Sequence, residues 1–169
     1  MDFGARRTHE DAAVSAARAA VVSGFTSTSD LEAGMRYGIR CVGTSAHAFT
    51  LLHDDERTAF DSQIASLGVG TTILVDTYDI ARGVQRAVDA AKAAGGTLGA
   101  VRLDSGDLVA EAFKVRAQLD SLGCPDTKIV VTSDLDEYAI AALGAAPVDI
   151  YGVGTKLVTG SGVPTAALV

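Results

Sequence analysis

Short apolar runs and longer amphipathic stretches alternate along the chain. Six runs rich in β-branched or apolar residues predict strands over residues 21–25, 40–44, 71–77, 97–103, 128–133 and 148–154. Helical spacing of apolar positions predicts helices over residues 9–20, 28–38, 55–68, 79–96, 107–123 and 134–144. This alternation predicts an α/β protein with a parallel sheet covered by helices. A doubly wound sheet and part of a (β/α) barrel both fit.

Polar residues collect directly after the predicted strands, in TSTSD, TSAH, DTYD, DSGD, SDLDE and GTK. In parallel α/β folds the carboxyl ends of the strands form the ligand-binding face. Three aspartates that precede helices are interpreted as helix caps or first-turn acids: Asp79, Asp107 and Asp136. Asp76 and Asp104 come earlier, at the strand ends themselves, and are therefore candidate functional carboxylates.

Basic and anion-binding groups fall near the same predicted face. Arg102 lies inside an apolar strand, where an unpaired charge is costly, so it needs a partner or a ligand. The turn Gly152–Thr155 would let backbone amides approach a phosphate. Arg6 and Arg7 form a basic pair that is either solvated or clamps an anion.

The segment CVGTSAHAF places His47, one of three histidines, just past a predicted strand. A single histidine is more often structural than catalytic, but the position of His47 at the end of a predicted strand makes it a candidate functional residue. Acids, a histidine, an arginine and an anion-binding turn on one face indicate chemistry on a phosphorylated sugar or a similar anion.

Composition narrows the classes of protein. The 169 residues suffice for one domain, and a net charge of −7 with 5% aromatic residues argues against nucleic-acid or anionic-membrane binding. The two cysteines are far apart, which is typical of free thiols in a reducing cytoplasm. No secretory signal or membrane-length apolar run is visible.

Seven motifs in order, FGARR, GFTSTS, GTSAHAF, ILVDTYD, VRLDSGDL, VTSDLDE and YGVGTKLVT, closely resemble the nicotinate phosphoribosyltransferase family over nearly the whole chain. The resemblance implies a type II phosphoribosyltransferase with an irregular (β/α) barrel and a further domain. It also implies that nicotinate and phosphoribosyl pyrophosphate give nicotinate mononucleotide and pyrophosphate, towards NAD. ATP hydrolysis would be coupled through a phosphohistidine, with Mg²⁺. A cytoplasmic homodimer is expected for the complete protein.

The resemblance also implies site residues. His47 would be the phosphorylated histidine, and Asp76 and Asp104 would be catalytic carboxylates whose separate roles stay open. Substrate-binding roles are implied for Arg6, Arg7, Gly43, Thr44, Arg102, Ser133 and Asp134. The phosphate cradle would comprise Gly152, Gly154 and Thr155. No metal ligand is assigned.

The chain is short for this family and carries Ala48 after the motif histidine, where many relatives have a polar residue. We therefore expect residues 1–169 to form a single, incomplete barrel segment of about six βα units, without the N-terminal domain and the C-terminal part. The segment alone is expected to be inactive. The alternatives are a nicotinamide or quinolinate phosphoribosyltransferase, a catalytically inactive fragment that serves at most as an interaction module, and an unrelated barrel enzyme such as an aldolase-type lyase.

Overall fold

A computed structural model describes residues 1–160 of the chain. After a 3-10 helix at Ala5–Arg7, the described residues form helices α1 Glu10–Val22, α2 Leu31–Tyr37, α3 His47–Leu51, α4 Glu56–Leu67, α5 Ile80–Ala93, α6 Leu108–Ser121, α7 Glu137–Leu143 and α8 Thr155–Thr159. The strands are β1 Thr72–Leu74, β2 Ala100–Leu103, β3 Lys128–Val131 and β4 Ile150–Tyr151. The fold is therefore mixed α/β, as the sequence predicts.

The strands form one sheet in the order β1-β2-β3-β4. β1 pairs with β2, and β2 with β3, in parallel, with Ala100 opposite both Thr72 and Lys128. Successive residues such as Ile73 and Leu74 are both buried, because helices cover both faces of a parallel sheet. Parallel pairing in this register brings the carboxyl ends of β1 and β2 side by side.

Helix α5 shows how the sequence produces these layers. Its apolar residues Val84, Ala87 and Val88 recur on one face, and all three are buried. Asp79 caps the helix by accepting a hydrogen bond from the Arg82 amide at 2.9 Å. A Cβ at Gly83 would lie 2.2 Å from the Val75 carbonyl oxygen, so only glycine lets the helix lie this close to the end of β1.

The three predicted cap aspartates are confirmed. Besides Asp79, Asp107 accepts from the Ala110 amide at 3.1 Å and Asp136 accepts from the Ala139 amide at 2.8 Å. Each carboxylate thus satisfies an amide that the first helical turn leaves without an intrahelical partner.

The prediction of strands over residues 21–25 and 40–44 is wrong. Val21 and Val22 continue α1, because the preceding alanine-rich turns favour helix and outweigh the strand preference of two valines. In the second run, Cys41 forms only an isolated bridge with Thr28. The described residues therefore hold four strands rather than about six, and they do not show a closed barrel.

The chain divides into two compact units by its contacts. The first unit comprises residues 1–43, 132–141 and the segment from 151, and the second comprises residues 44–131 and 142–150. The expectation of a single barrel-type domain segment stays a prediction. Among residues 1–160, no helix has both the length and the apolar character needed to cross a bilayer.

Candidate active site

His47 is the first residue of α3, in the second unit, at the end of the Thr44–Ala46 loop. Its Nδ1 lies 3.1 Å from the Thr77 hydroxyl oxygen. Its Nε2 lies 3.9 Å from Oδ1 of Asp76 and 3.7 Å from Oδ2 of Asp104. The side chain is 40% exposed, so a ligand from solvent can reach the ring.

The two carboxylates stand next to each other because Asp76 follows β1 and Asp104 follows β2. Oδ2 of Asp76 accepts hydrogen bonds from the Asp104 amide at 2.8 Å and the Ser105 hydroxyl at 2.7 Å. Oδ1 of Asp76 is buried without a hydrogen-bond partner, and the side chain is only 1% exposed. A buried acceptor without a donor is costly, so this oxygen would be stabilised by a cation or a donor that binds beside it.

Arg102, on β2, has the partners that its apolar surroundings require. Its guanidinium donates to the Thr44 hydroxyl at 2.5 Å and to Oδ1 of Asp104 at 2.9 Å. A longer contact, 3.5 Å, reaches the Ser45 carbonyl. Arg102 thus ties the loop before His47 to the carboxylate after β2, with its side chain 11% exposed. Whether it also binds substrate stays a prediction.

A buried glutamine also holds the loop before His47. Gln63, on α4, accepts from the Ser45 hydroxyl at 2.7 Å and donates to the Thr71 hydroxyl at 2.9 Å and the Thr72 carbonyl at 2.8 Å. Sequence reasoning missed this residue because a polar side chain in an amphipathic helix ordinarily faces solvent. It also missed Thr77 and Ser105, whose signal was their place directly after the strand-end aspartates.

The predicted phosphate turn lies in the first unit and packs against the chain start. A Cβ at Gly152 would lie 2.6 Å from Cγ2 of Thr132, and one at Gly154 would lie 3.1 Å from the Phe3 carbonyl oxygen. Close packing therefore explains both glycines within the chain itself. Thr155 begins α8, and the phosphate-binding role of the turn stays a prediction.

The remaining predicted residues also belong to the first unit and are solvent-exposed: Arg6, Arg7, Gly43, Ser133 and Asp134. Ser133 has a backbone φ of 105°, a conformation that side chains other than glycine rarely adopt. The structure thus brings five predicted residues together in the second unit, namely Thr44, His47, Asp76, Arg102 and Asp104.

No family model matches the chain. Curated relatives are "Nicotinate phosphoribosyltransferase pncB1" of Mycobacterium tuberculosis, 56% identical over 177 aligned positions, and "Nicotinate phosphoribosyltransferase" of Bacillus subtilis, 46% identical over 165. The alignments cover 100% and 94% of this chain but only 39% and 34% of those proteins. The chain thus spans between about one third and two fifths of the length of these relatives.

Solved structures with similar folds also match this chain over only part of their own length. "Nicotinate-nucleotide pyrophosphorylase" from Pyrococcus furiosus superposes with a TM-score of 0.80 at 31% identity, over 93% of this chain and 41% of that one. "Human Nicotinic Acid Phosphoribosyltransferase" has a TM-score of 0.78 at 23% identity, over 90% and 43%, and shows the likeness of fold alone. The fold of this α/β chain is thus similar to a segment of solved structures of the phosphoribosyltransferase class. More particularly, nearly the whole chain is similar to a segment of proteins named nicotinate phosphoribosyltransferase.

Proposed function

We propose that the protein carrying this chain is a nicotinate phosphoribosyltransferase. It would join nicotinate to phosphoribosyl pyrophosphate, give nicotinate mononucleotide and pyrophosphate, and thereby serve NAD synthesis. The observation that carries the proposal is the partly exposed His47 ring, whose Nε2 lies within 4 Å of carboxylates from two neighbouring strand ends. The names of the relatives support the choice of substrates.

His47 acts in this proposal as the acceptor of the γ-phosphoryl group of ATP. A lone pair of the imidazole forms the N–P bond while the bond from phosphorus to the bridging oxygen breaks, and ADP leaves with those electrons. Imidazole suits this step because its neutral form is nucleophilic at ordinary pH. The new negative charge beside Asp76 and Asp104 changes the electrostatics of the site, which couples ATP hydrolysis to substrate binding.

The same carboxylates suit Mg²⁺. Among residues 1–160 no three histidine, cysteine or acidic side chains form a complete metal cage, but Mg²⁺ ordinarily uses one or two carboxylates together with substrate phosphates and water. The buried, unpartnered Oδ1 of Asp76 is a fitting oxygen ligand, and Asp104 supplies the second carboxylate. When bound, the cation would neutralise charge on the pyrophosphate leaving group.

Side chains of this chain would stabilise the transition state and bind the substrates. Asp76 and Asp104 would stabilise the positive charge of an oxocarbenium-like transition state at the ribose. Arg102 would orient Asp104 and the Thr44 hydroxyl towards the substrates, through the contacts described above. The first-unit residues Arg6, Arg7, Gly43, Ser133, Asp134, Gly152, Gly154 and Thr155 are proposed to bind the ribose and phosphate groups.

Labelling with γ-³²P ATP tests the role of His47. The complete protein should incorporate an acid-labile label, and the His47→Asn variant should not. His9→Asn is the matched control, because His9 is exposed and only caps α1 by accepting the Asp11 amide, a role that asparagine fills well. Equal labelling of the His47→Asn protein would exclude this mechanism.

A second candidate is a sister enzyme that uses another pyridine, nicotinamide or quinolinate. The Pyrococcus relative is named a nicotinate-nucleotide pyrophosphorylase rather than a nicotinate phosphoribosyltransferase, which supports considering this alternative. Parallel assays of the complete protein with the three pyridines distinguish the candidates, and we expect nicotinate to give the highest kcat/KM. We further propose a cytoplasmic homodimer, while the isolated 169-residue segment is expected to be inactive.

A further inference from the structure

Gln63 joins the loop before His47 to the start of β1. The residue lies on α4 and is only 4% exposed. Its amide oxygen accepts a hydrogen bond from the Ser45 hydroxyl at 2.7 Å. Its amide nitrogen donates to the Thr72 carbonyl at 2.8 Å and to the Thr71 hydroxyl oxygen at 2.9 Å. Both protons of the amide nitrogen are therefore used within the chain.

The Thr72 carbonyl fixes the direction of this amide. A carbonyl oxygen can only accept, so it must face the amide nitrogen of Gln63 and not the amide oxygen. The amide oxygen then points to Ser45, whose hydroxyl is the donor in that contact. Because the reverse orientation would place two acceptor oxygens against each other, the buried Gln63 side chain is a fixed anchor for the loop.

Helix α3 depends on this loop for its position. It has five residues, too few for a helix to be stable alone, and the side chain of the preceding Ala46 cannot accept from its first amides. The loop is attached to β2 by Arg102, which contacts the Thr44 hydroxyl and the Ser45 carbonyl, and to α4 by Gln63. A loop attached to two elements cannot rotate about either contact alone, so its attachments place the first residue of α3.

We propose that the hydrogen bond between Ser45 and Gln63 positions the His47 ring for its reaction, which makes Gln63 a positioning residue. His47 follows Ser45 by two residues, which is about 7 Å of extended chain, so a movement of the loop is passed on to the ring. The catalytic consequence rests on the proposed function: a misplaced ring reaches the in-line position at the γ-phosphorus less often, and the N–P bond forms more slowly.

Variants of Ser45 separate this role from the support that Gln63 gives to β1. Ser45→Ala removes the contact with the loop and leaves the amide nitrogen of Gln63 on its partners at the start of β1. Ser45→Thr is the conservative variant, because it keeps a hydroxyl. Gln63→Met fills the same space without hydrogen bonds. Ser66→Ala is the matched control, because its hydroxyl also lies on α4 but donates to the Ser62 carbonyl of the same helix.

The first readout is the initial rate at which the complete protein takes up label from γ-³²P ATP, per folded molecule and at several ATP concentrations. We expect Ser45→Ala and Gln63→Met each to lower the maximal rate about 10-fold, with the half-saturating ATP concentration unchanged, because the reacting group is misplaced while ATP still binds. Ser45→Thr should retain most of the rate, and Ser66→Ala all of it. A Ser45→Ala protein with the wild-type rate would overturn the proposal.

The double variant Ser45→Ala/Gln63→Met tests whether the two side chains act through their shared contact. Once one partner is absent, removal of the other should change nothing further, so the double variant should match the single variants, whereas independent effects would multiply to about 100-fold. A loss near the product would contradict the proposal. If Gln63→Met does not fold, the comparison of Ser45→Ala with Ser45→Thr decides alone: a slow first variant and a restored second support the proposal, and equal rates reject it.

A second readout separates this inference from the proposed function. The complete protein is labelled with ¹³C-histidine and studied by NMR, with His47→Asn identifying the ring signals of His47. Wild type should give one sharp set of ring signals, and Ser45→Ala a shifted and broadened set. If the wild type takes up no label but the signals change in this way, the positioning role stands and the phosphohistidine mechanism fails. Unchanged His47 signals in Ser45→Ala would reject the positioning role, whether or not label is taken up.

Discussion

Two carboxylates of the second unit share an unusual state and differ in what surrounds them. Asp76, after β1, and Glu56, at the start of α4, each have a side chain 1% exposed and one buried oxygen without a hydrogen-bond partner. The remaining oxygen of Glu56 pairs with Arg86 on α5 at 3.0 Å. The remaining oxygen of Asp76 accepts only from neutral donors, the Asp104 amide and the Ser105 hydroxyl.

This difference is the basis for interpreting Glu56 as a structural carboxylate and for proposing a functional role for Asp76. Burial raises the pKa of Glu56, and the guanidinium of Arg86 opposes that rise, as expected for an ion pair that joins two helices. At Asp76, the basic group next to the unpartnered oxygen is the partly exposed His47 ring. Both basic neighbours are partly exposed, so what distinguishes Asp76 is that the imidazole of His47 can act as a nucleophile, whereas the guanidinium of Arg86 cannot.

Asp76→Asn should give the largest effect. The amide oxygen can still accept from the Asp104 amide and the Ser105 hydroxyl, so the fold should be kept, with the melting temperature of the complete protein shifted by only a few degrees. The amide nitrogen would replace the negative charge beside His47. We expect kcat/KM for nicotinate mononucleotide synthesis to fall about 10³-fold, the upper range for the loss of one electrostatic stabiliser. Wild-type rates together with a large loss of stability would instead make Asp76 a structural residue like Glu56.

Arg102→Ala should have the second largest effect, a loss of kcat/KM of about 10²-fold. Removing the guanidinium frees Asp104 and the Thr44 hydroxyl from their shared donor, so both the carboxylate and the loop before His47 lose their alignment. Steady-state kinetics and thermal melts of the complete protein measure the two contributions. A large fall in melting temperature with unchanged kinetics per folded molecule would show that Arg102 only stabilises the fold.

Arg86→Met should act on stability and leave the rate per folded molecule unchanged. It leaves the buried Glu56 carboxylate without its cation, which we expect to cost about 2 kcal/mol of unfolding free energy, below the usual range for breaking a buried pair because Arg86 is half-exposed. Adding Glu56→Gln should restore most of this loss, since no buried charge then remains. Denaturant titrations of the single and double variants form the cycle, and a double variant that is less stable than Arg86→Met would contradict the structural role.

The comparison of Asp76 with Glu56 also shows which features of the site can be predicted from the sequence. The clustering of Asp76 and Asp104 was predictable because both are acidic residues that end apolar strand patterns, and parallel sheets bind ligands at these strand ends. The burial of Glu56 was not predictable, because an acid in the first turn of an amphipathic helix ordinarily faces solvent. The same holds for Gln63, whose role depends on partners in β1 and in the loop before His47. Local pattern identifies positions along one element, whereas burial of a polar side chain depends on the neighbouring element that packs over it.

The strand predictions for residues 21–25 and 40–44 are wrong for the same reason. The valines of residues 21–25 lie in α1 because the chain before them is already helical, and residues 40–44 find only one bridging partner. Strand formation needs a neighbour to pair with, which a short apolar run does not disclose. The four observed strands are the runs for which the fold provides such neighbours.

The smallest expected effect is a pair of opposite pH dependences at the start of α4. Burial raises the pKa of Glu56, whose charged neighbours are Arg86, Arg82 and Asp79, so the folded state binds this proton more tightly than the unfolded state. The contribution of Glu56 to stability is therefore greatest below its unfolded pKa and falls as the pH rises through its folded pKa. Asp55 behaves in the opposite way, because the hydrogen bond from the Thr58 amide lowers its pKa. Its contribution to stability is present above its unfolded pKa and is lost as the pH falls through its folded pKa.

The measurement is the unfolding free energy of the wild type and of two variants, Glu56→Gln and Asp55→Asn, at several acidic pH values. The difference between wild type and Glu56→Gln and the difference between wild type and Asp55→Asn should change with pH in opposite directions. If the first difference increased with pH, burial would not govern Glu56, and the contrast with Asp76 would lose its electrostatic basis.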